Sequence, residues 1–336
     1  MGESFEMLMH SHWNGLTLCD LVFPFFLFIM GISCYLSLVK SEFTPTHQVL
    51  SRIIKRTVLL FTIGLLINWF EHAIAGDLLC FGTLRFWAVL QRIALCYFFV
   101  SLFALYCDHR YTLLMVVSLL VIYTAILVFG NGYAYDADVN ILAQTDLKLF
   151  GYDHIYHMSP VDPEGLLGTI PCVAHVLVGF YCGRLIWQKE TTEQKVIAFF
   201  VVGIALVVCG YLFSYSLPIN KCIWSPSFVF VTCGLASLMQ ALLMVAIDSS
   251  PSTKILPPPI LRFLKVFGVN ALIIYVSSEL LAIILGHIGV STWVYNHIHS
   301  VVFPPKLTSL AYAIYFVLLN YLIGYCLYRK NIYIKL

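Results

Sequence analysis

Nine stretches of about 20 residues run nearly free of charge, each closed off by charged or turn-forming residues. Apolar runs of that length, continuous rather than alternating, leave one solution: helices that cross a bilayer with every backbone group satisfied internally. The windows lie near 20–40, 52–72, 85–107, 111–130, 165–187, 195–214, 224–247, 265–288 and 307–328. The expected fold class is an all-α, polytopic transmembrane helix bundle of about nine spans, treated as a single domain over 1–336. Composition agrees, with 60% hydrophobic and 11% charged residues and a mean hydropathy of +0.89, beyond the range of soluble domains. A net charge of +2 with no basic tail excludes nucleic acid as a partner. The 11 cysteines fall mostly in apolar runs and read as small hydrophobes, not as a disulfide or zinc framework. Met1 to Met9 carries two glutamates and no basic segment, so it does not read as a signal peptide.

Cationic residues sit in alternate connections. Lys40, Arg52, Lys55 and Arg56 form one group and Arg110 stands alone. Arg184, Lys189 and Lys195, then Lys254, Arg262 and Lys265, and finally Arg329, Lys330 and Lys335 complete the series. All mark the cytoplasmic face. The other face holds the first 19 residues, the long 131–164 loop and the remaining connections, so the N-terminus is expected outside the cytoplasm and the C-terminus inside. In a bacterium the membrane would be the inner one.

Polar residues show a depth preference. Asp20 opens the first window, and Arg85 opens the third with Arg92 two turns deeper, ~10 Å along the same face. Asp162-Pro163-Glu164-Gly165 opens the fifth window, and Lys221, Trp224 and Ser225 open the seventh. Glu279 lies in the outer half of the eighth. Opposite charges collected in one half of a bilayer imply an outward-facing polar cavity or structural ion pairs fixing helix registry. His175, mid-helix, reads as an interhelical hydrogen bond. Trp13, Trp69, Trp87, Trp224 and Trp293 read first as interface anchors, and Arg52, Lys55 and Arg56 first as topology anchors.

A polar segment, His10-Ser-His12-Trp13-Asn14-Gly15-Leu-Thr17, is set against the mouth of the first span, Asp20-Leu-Val-Phe-Pro24 onward to Gly31. With it run Val89-Leu-Gln-Arg92-Ile-Ala-Leu-Cys-Tyr97, Asp162-Pro-Glu-Gly-Leu-Leu-Gly-Thr-Ile-Pro171, Asn220-Lys-Cys-Ile-Trp224-Ser-Pro-Ser-Phe228 and Phe267-Gly-Val-Asn270-Ala-Leu-Ile-Ile-Tyr275. In this order the segments resemble the membrane domain of heparan-α-glucosaminide N-acetyltransferase and its bacterial relatives, over nearly the whole chain. The resemblance implies a transmembrane acetyltransferase that takes acetyl-CoA from the cytoplasmic side and acetylates a terminal glucosamine amine on the other. It places the active-site histidine at His10, with His12 at a variable position of the motif. Three departures stand out. The relatives' preceding helix, with its Asn, is expected to be absent because the chain opens nine residues before His10. Ala88 replaces a glycine, and Trp224-Ser225-Pro226-Ser227-Phe228 replaces Trp-Thr-Ser-Ser-Phe.

Acetyl transfer from a thioester to an amine needs a base and donors for the developing oxyanion. His10 serves as the base or as a nucleophile that carries the acetyl group. Asn14, Arg92 and Lys221 are the candidate oxyanion donors, and Asp20, Asp162 and Glu164 orient the imidazole or bind the acceptor. Arg85 joins the substrate-binding set, as do Trp13 and Trp224, which could stack on a pyranose. Arg52, Lys55, Arg56, Arg262 and Lys265 are the candidate partners of CoA phosphates. Acetyl-CoA is a co-substrate, no metal is expected, and the partners are the amino sugar, the bilayer and, as a candidate assembly, a homodimer. A sugar or lipid-linked-sugar transporter or flippase would use the same cavity, although no internal repeat supports it. An inactive sugar-binding relative is the third reading.

Overall fold

The computed structural model describes residues 2–248, 256–301 and 304–334. Met1, Lys254 and Lys335, named above, lie outside the described residues. Those described form twelve α-helices and no strand. Seven helices are long and apolar enough to cross a membrane, or eight if one bent pair counts as a single span. The chain is a multi-pass integral membrane protein. Each of the nine sequence windows falls on a helix. The count differs at α2 (His47–Ile74), which is not among the seven and carries three cations in its first half and Glu71 and His72 near its end. The chain divides into two compact units.

The larger unit, His10–Leu65 with Gly82–Ser249, contains α1 (Val22–Leu38), the first part of α2, α3 (Val89–Tyr106), α4 (Thr112–Phe129), α5 (Ile141–Phe150), α6 (Thr169–Gln188), α7 (Thr192–Ser214) and α8 (Pro226–Asp248). Prolines fix several of the helix starts. Pro24, Pro171 and Pro226 stand in first turns, where a missing N–H costs no ladder bond. Helix α6 is the hub and touches α1, α3, α4, α7 and α8. Twelve of its 20 residues are buried against three of the 23 in α7, so α7 offers its apolar surface to lipid. The 131–164 stretch, expected as a loop, contains α5, whose start is capped by the Asn140 side chain accepting from the Leu142 N–H.

The seam between α1 and α6 depends on missing side chains. Gly31 lies against the Val176 carbonyl and Gly179 against the Phe28 carbonyl, and a Cβ on either would overlap those backbone oxygens. Lipid supplies no hydrophobic drive between helices, so such close approach is a main source of adhesion.

The smaller unit comprises Met1–Met9, Leu66–Phe81 and Ser250–Leu336. Its helices are the last turns of α2, α9 (Pro258–Val269), α10 (Ala271–His287), α11 (Val290–Val301) and α12 (Pro305–Arg329). The 265–288 window reads as one span in the sequence. Instead α9 and α10 meet at 81°. Asn270 sits at the break, buried, donating to the Ile332 carbonyl at 3.0 Å and accepting from the Ile334 N–H at 3.1 Å. Its amide binds the C-terminal stretch of backbone in place of a continuing helix. Helix α11 occupies what was expected to be the 289–306 loop.

Gly179→Leu is expected to destabilise the protein by about 3 kcal/mol, the upper end for overpacking, because the obstacle is backbone. Gly268→Ala, where no atom lies within 4 Å, should be neutral or stabilising. Thermal unfolding midpoints of the purified variants in detergent check both.

Candidate functional site

Asp20 organises the polar end of the larger unit. It belongs to a short 3-10 turn, Cys19–Leu21, just before α1, and its side chain is fully buried. A buried carboxylate costs several kcal/mol unless its lone pairs are filled, and the preceding loop wraps back to fill them. Oδ2 accepts from the backbone N–H groups of Ser11 at 3.2 Å and Thr17 at 3.1 Å and from the Thr17 hydroxyl at 3.0 Å. Oδ1 accepts from His10 Nδ1 at 2.7 Å, with the Lys221 ammonium 3.5 Å away.

Because a carboxylate only accepts, Nδ1 is the donor of this pair, and Nε2 is the nitrogen turned toward the Cys19 thiol and the Lys221 ammonium. The His10 side chain remains 57% exposed while its anchor is 0% exposed. Lys221 Nζ stands 3.4 Å from Nε2 and 3.0 Å from Nδ1. Cys19 Sγ approaches Nε2 at 3.7 Å. The result is a base held in one tautomer, open to solvent, beside a fixed cation. His12 is exposed and outside the cluster.

Lys221 is brought there by pairing of two loops. Gly15, at φ +126 in a region that favours glycine, donates its N–H to the Ile219 carbonyl at 2.8 Å. Asn220 Nδ2 donates to Asn14 Oδ1 at 3.2 Å. Asn220 is buried and its Oδ1 accepts from the Ile223 N–H; the Tyr123 hydroxyl donates to the Ile223 carbonyl. With its oxygen engaged, Asn14 keeps its amide N–H groups as donors. Trp13 fastens the same loop, donating from Nε1 to the Tyr133 carbonyl at 3.3 Å and meeting Tyr135 edge-on at 5.3 Å.

Arg85, Asp162 and Glu164 form a second cluster. The Arg85 guanidinium reaches Asp162 Oδ1 at 2.7 Å and Glu164 Oε2 at 2.9 Å and lies over the Tyr156 ring. Their side chains are 23%, 3% and 14% exposed in that order, so Arg85 and Glu164 offer an accessible edge and Asp162 does not. Cys222 lies between the clusters. Ser159 Oγ contacts its sulfur at 4.0 Å, both Asp20 and Glu164 act on it, and burial pushes its thiol up.

Two expected substrate contacts are corrected. Arg92 is fully buried and donates to the backbone carbonyls of Pro163 at 2.5 Å and Gly165 at 2.6 Å. Trp224, 1% exposed, is neither a sugar platform nor an interface anchor. It takes a left-handed φ of 50° and packs edge-on to Phe23, Phe228 and His175, with Arg92 over its ring. Both residues are scaffold, for one reason: the backbone before α6 and α8 turns inward and needs partners. The helix starts move accordingly. Arg85, Asp162–Gly165 and Lys221–Ser225 precede α3, α6 and α8 and do not open them. The His175 ring is fully buried on α6 and meets the Pro24 backbone of α1.

Asp146 of α5, which no sequence signal singles out, pins the same segment. Its Oδ1 accepts from the Leu166 N–H at 3.0 Å, and its Oδ2 abuts Gly165. Burial pushes its carboxyl up to about 6. Of the expected phosphate partners, Arg52 and Lys55 are exposed on α2, while Arg56 turns inward with its guanidinium 4.5 Å from the Tyr97 ring centre. Arg262 and Lys265 are exposed on α9, in the other unit.

Residues 7–215 match a family described as "Domain of unknown function (DUF5009)". That stretch holds His10 through Glu164 and ends before Lys221. Among curated proteins, the heparan-α-glucosaminide N-acetyltransferase of Mus musculus is 26% identical over 340 residues, covering 83% of this chain and 50% of its own. The protein of the same name from Homo sapiens is 26% identical over 339 residues, covering 83% and 49%. The chain thus spans about half the length of the curated relatives it matches.

A carboxyl raised in the folded state keeps its proton there longer than in the unfolded chain. Its contribution is present below the unfolded value of 3.8 and lost as pH rises through about 6. Asp146→Asn should therefore raise the unfolding midpoint at pH 7.5, by a free energy on the order of 2 kcal/mol. It should also flatten the decline between about pH 4 and 6, read by thermal scans at both ends of that window.

Proposed function

The chain belongs to the DUF5009 family and is distantly related to heparan-α-glucosaminide N-acetyltransferase, and from that premise we propose that it is a membrane acetyltransferase. It moves an acetyl group from cytoplasmic acetyl-CoA to the amine of a glucosamine-type sugar on the extracytoplasmic side. The observation that carries the reading is the Asp20–His10 pair, a buried carboxylate 2.7 Å from Nδ1 of an exposed imidazole. It is the arrangement that transfer to an amine requires of its base.

His10 Nε2 removes the proton as the amine adds to the acetyl carbonyl. The Lys221 ammonium, 3.4 Å from Nε2, stabilises the oxyanion, with the Asn14 amide, whose oxygen is engaged by Asn220, as a second donor. Glu164 and Arg85 form the accessible polar edge that binds sugar hydroxyls, with Asp162 and Arg92 holding that edge in place, and Trp13 serves the acceptor from the 10–17 loop. The exposed cations Arg52 and Lys55 meet CoA phosphates at the cytoplasmic end, with Arg56 of the same helix as further charge. The Lys/Arg asymmetry supports the orientation, with the N-terminus outside and the C-terminus in the cytoplasm.

Purified protein given labelled acetyl-CoA and glucosamine should yield N-acetylglucosamine. His10→Ala should lower the rate by about 10²–10⁴-fold and Lys221→Met by about 10²-fold, each with a lowered unfolding midpoint because it takes a partner from the buried Asp20 carboxylate. Undiminished acetylation by His10→Ala, or sugar uptake into vesicles without acetylation, overturns the reading.

A further inference from the structure

The imidazole at the centre of the site faces a thiol. Cys19 Sγ lies 3.7 Å from His10 Nε2, while Nδ1 of the same ring is held 2.7 Å from the buried carboxylate of Asp20. Thiol, imidazole and carboxylate stand in series, the order in which a nucleophile, its base and the group orienting the base are found. Cys19 is partly exposed, whereas Cys34, Cys96, Cys172, Cys182 and Cys233 are buried. It sits in the rigid 3-10 turn that contains Asp20. We infer that Cys19 is the acyl-carrying nucleophile of the reaction proposed above, and this inference rests on that reading.

The ring's bonding favours the thiol over the imidazole as carrier. With Nδ1 committed to Asp20, an acetyl group on Nε2 would leave the ring no free nitrogen to accept the amine proton in the second half of the reaction. A thiol carrier keeps Nε2 available in both halves. In the first, the Cys19 proton passes to Nε2 and Sγ bonds to the acetyl carbonyl carbon. The bond from that carbon to the CoA sulfur breaks, and the departing thiolate takes the proton from the imidazolium. One thioester is exchanged for another, with no redox change. In the second, the sugar nitrogen bonds to the acetyl carbon, the Sγ–C bond breaks, and the amine proton travels through Nε2 to Sγ. The Lys221 ammonium, 3.4 Å from Nε2, supplies positive charge for the oxyanion of both tetrahedral intermediates. The two substrates then need not occupy the site together.

The test uses the full chain with acetyl-CoA alone, quenched in acid and mapped by peptide mass spectrometry. One acetyl group on Cys19 is expected, removable by neutral hydroxylamine, with release of one equivalent of free CoA thiol. Cys19→Ala should carry no adduct and lose at least about tenfold in sugar acetylation, and His10→Ala should acylate far more slowly. Acetyl found on His10, or full acetylation by Cys19→Ala, overturns the assignment and leaves the transferase reading standing. A wild-type protein that forms neither adduct nor N-acetylated sugar overturns both.

Discussion

The polar end of the larger unit depends on one buried carboxylate. Asp20 carries a charge at the mouth of a membrane helix, where an unmatched anion would cost several kcal/mol. Matching it dictates the path of the ten residues before it, since the donors come from Ser11, Thr17 and His10 as well as from Lys221 across the site. The loop is therefore ordered by charge together with the packing of Trp13 on the apolar cluster around Tyr123. Its imidazole is placed by the same demand that makes it reactive. Structure and proposed chemistry share a cause: an acceptor-only partner fixes one ring nitrogen as donor and frees the other.

A second principle governs the elements around it. Where α6 and α8 begin, the chain arrives as irregular backbone close to apolar core, and its carbonyls need donors. Arg92 provides them for Pro163 and Gly165, Asp146 takes the Leu166 N–H, and Asn220 with Tyr123 closes the turn before α8. Buried polar side chains act here as substitutes for the missing helical ladder. What they hold still is the accessible edge of Arg85 and Glu164, which is the part facing a ligand. The buried set is scaffold and the exposed set is contact surface, although both have the same residue types.

That distinction limits what the sequence discloses. Hydropathy is a property of long windows, so all nine windows land on helices, and charge placement gathers the polar residues at one end. The nearness of His10 and Asp20 is legible because both lie in one short segment. Which way Arg92 and Trp224 point is set by where the backbone before α6 and α8 turns, and that turn is decided by partners 70 or more residues away. The break at Asn270 is hidden for the same reason: a single amide engaging Ile332 and Ile334 leaves no periodic trace. Helices α5 and α11 escape a hydropathy reading because they are short and interrupted by polar residues, below the length a spanning window detects. Cys19 is masked by the many cysteines that are core. Its adjacency to Asp20 is the available signal.

Placing the acceptor chemistry at a loop rather than inside a helix has a mechanical consequence. The α1–α6 seam, closed by Gly31 and Gly179 against backbone oxygens, leaves no slack for a side chain to swing within the bundle. The 10–17 loop, by contrast, is fixed at a few polar points: the Asp20 carboxylate, the Ile219 carbonyl, the Asn220 amide and the Tyr133 carbonyl. A scaffold that is stiff where glycine meets carbonyl and a site that is polar where loops meet divide the work between them. The stiff part keeps the spacing between helices constant, and the hydrogen-bonded part holds a base at its rim without burying it. An imidazole inside the bundle, as His175 shows, is fully buried and packed against Trp224, closed to any substrate. The same ring at position 10 is anchored on one side and open on the other, which is the condition for passing a proton to and from a substrate.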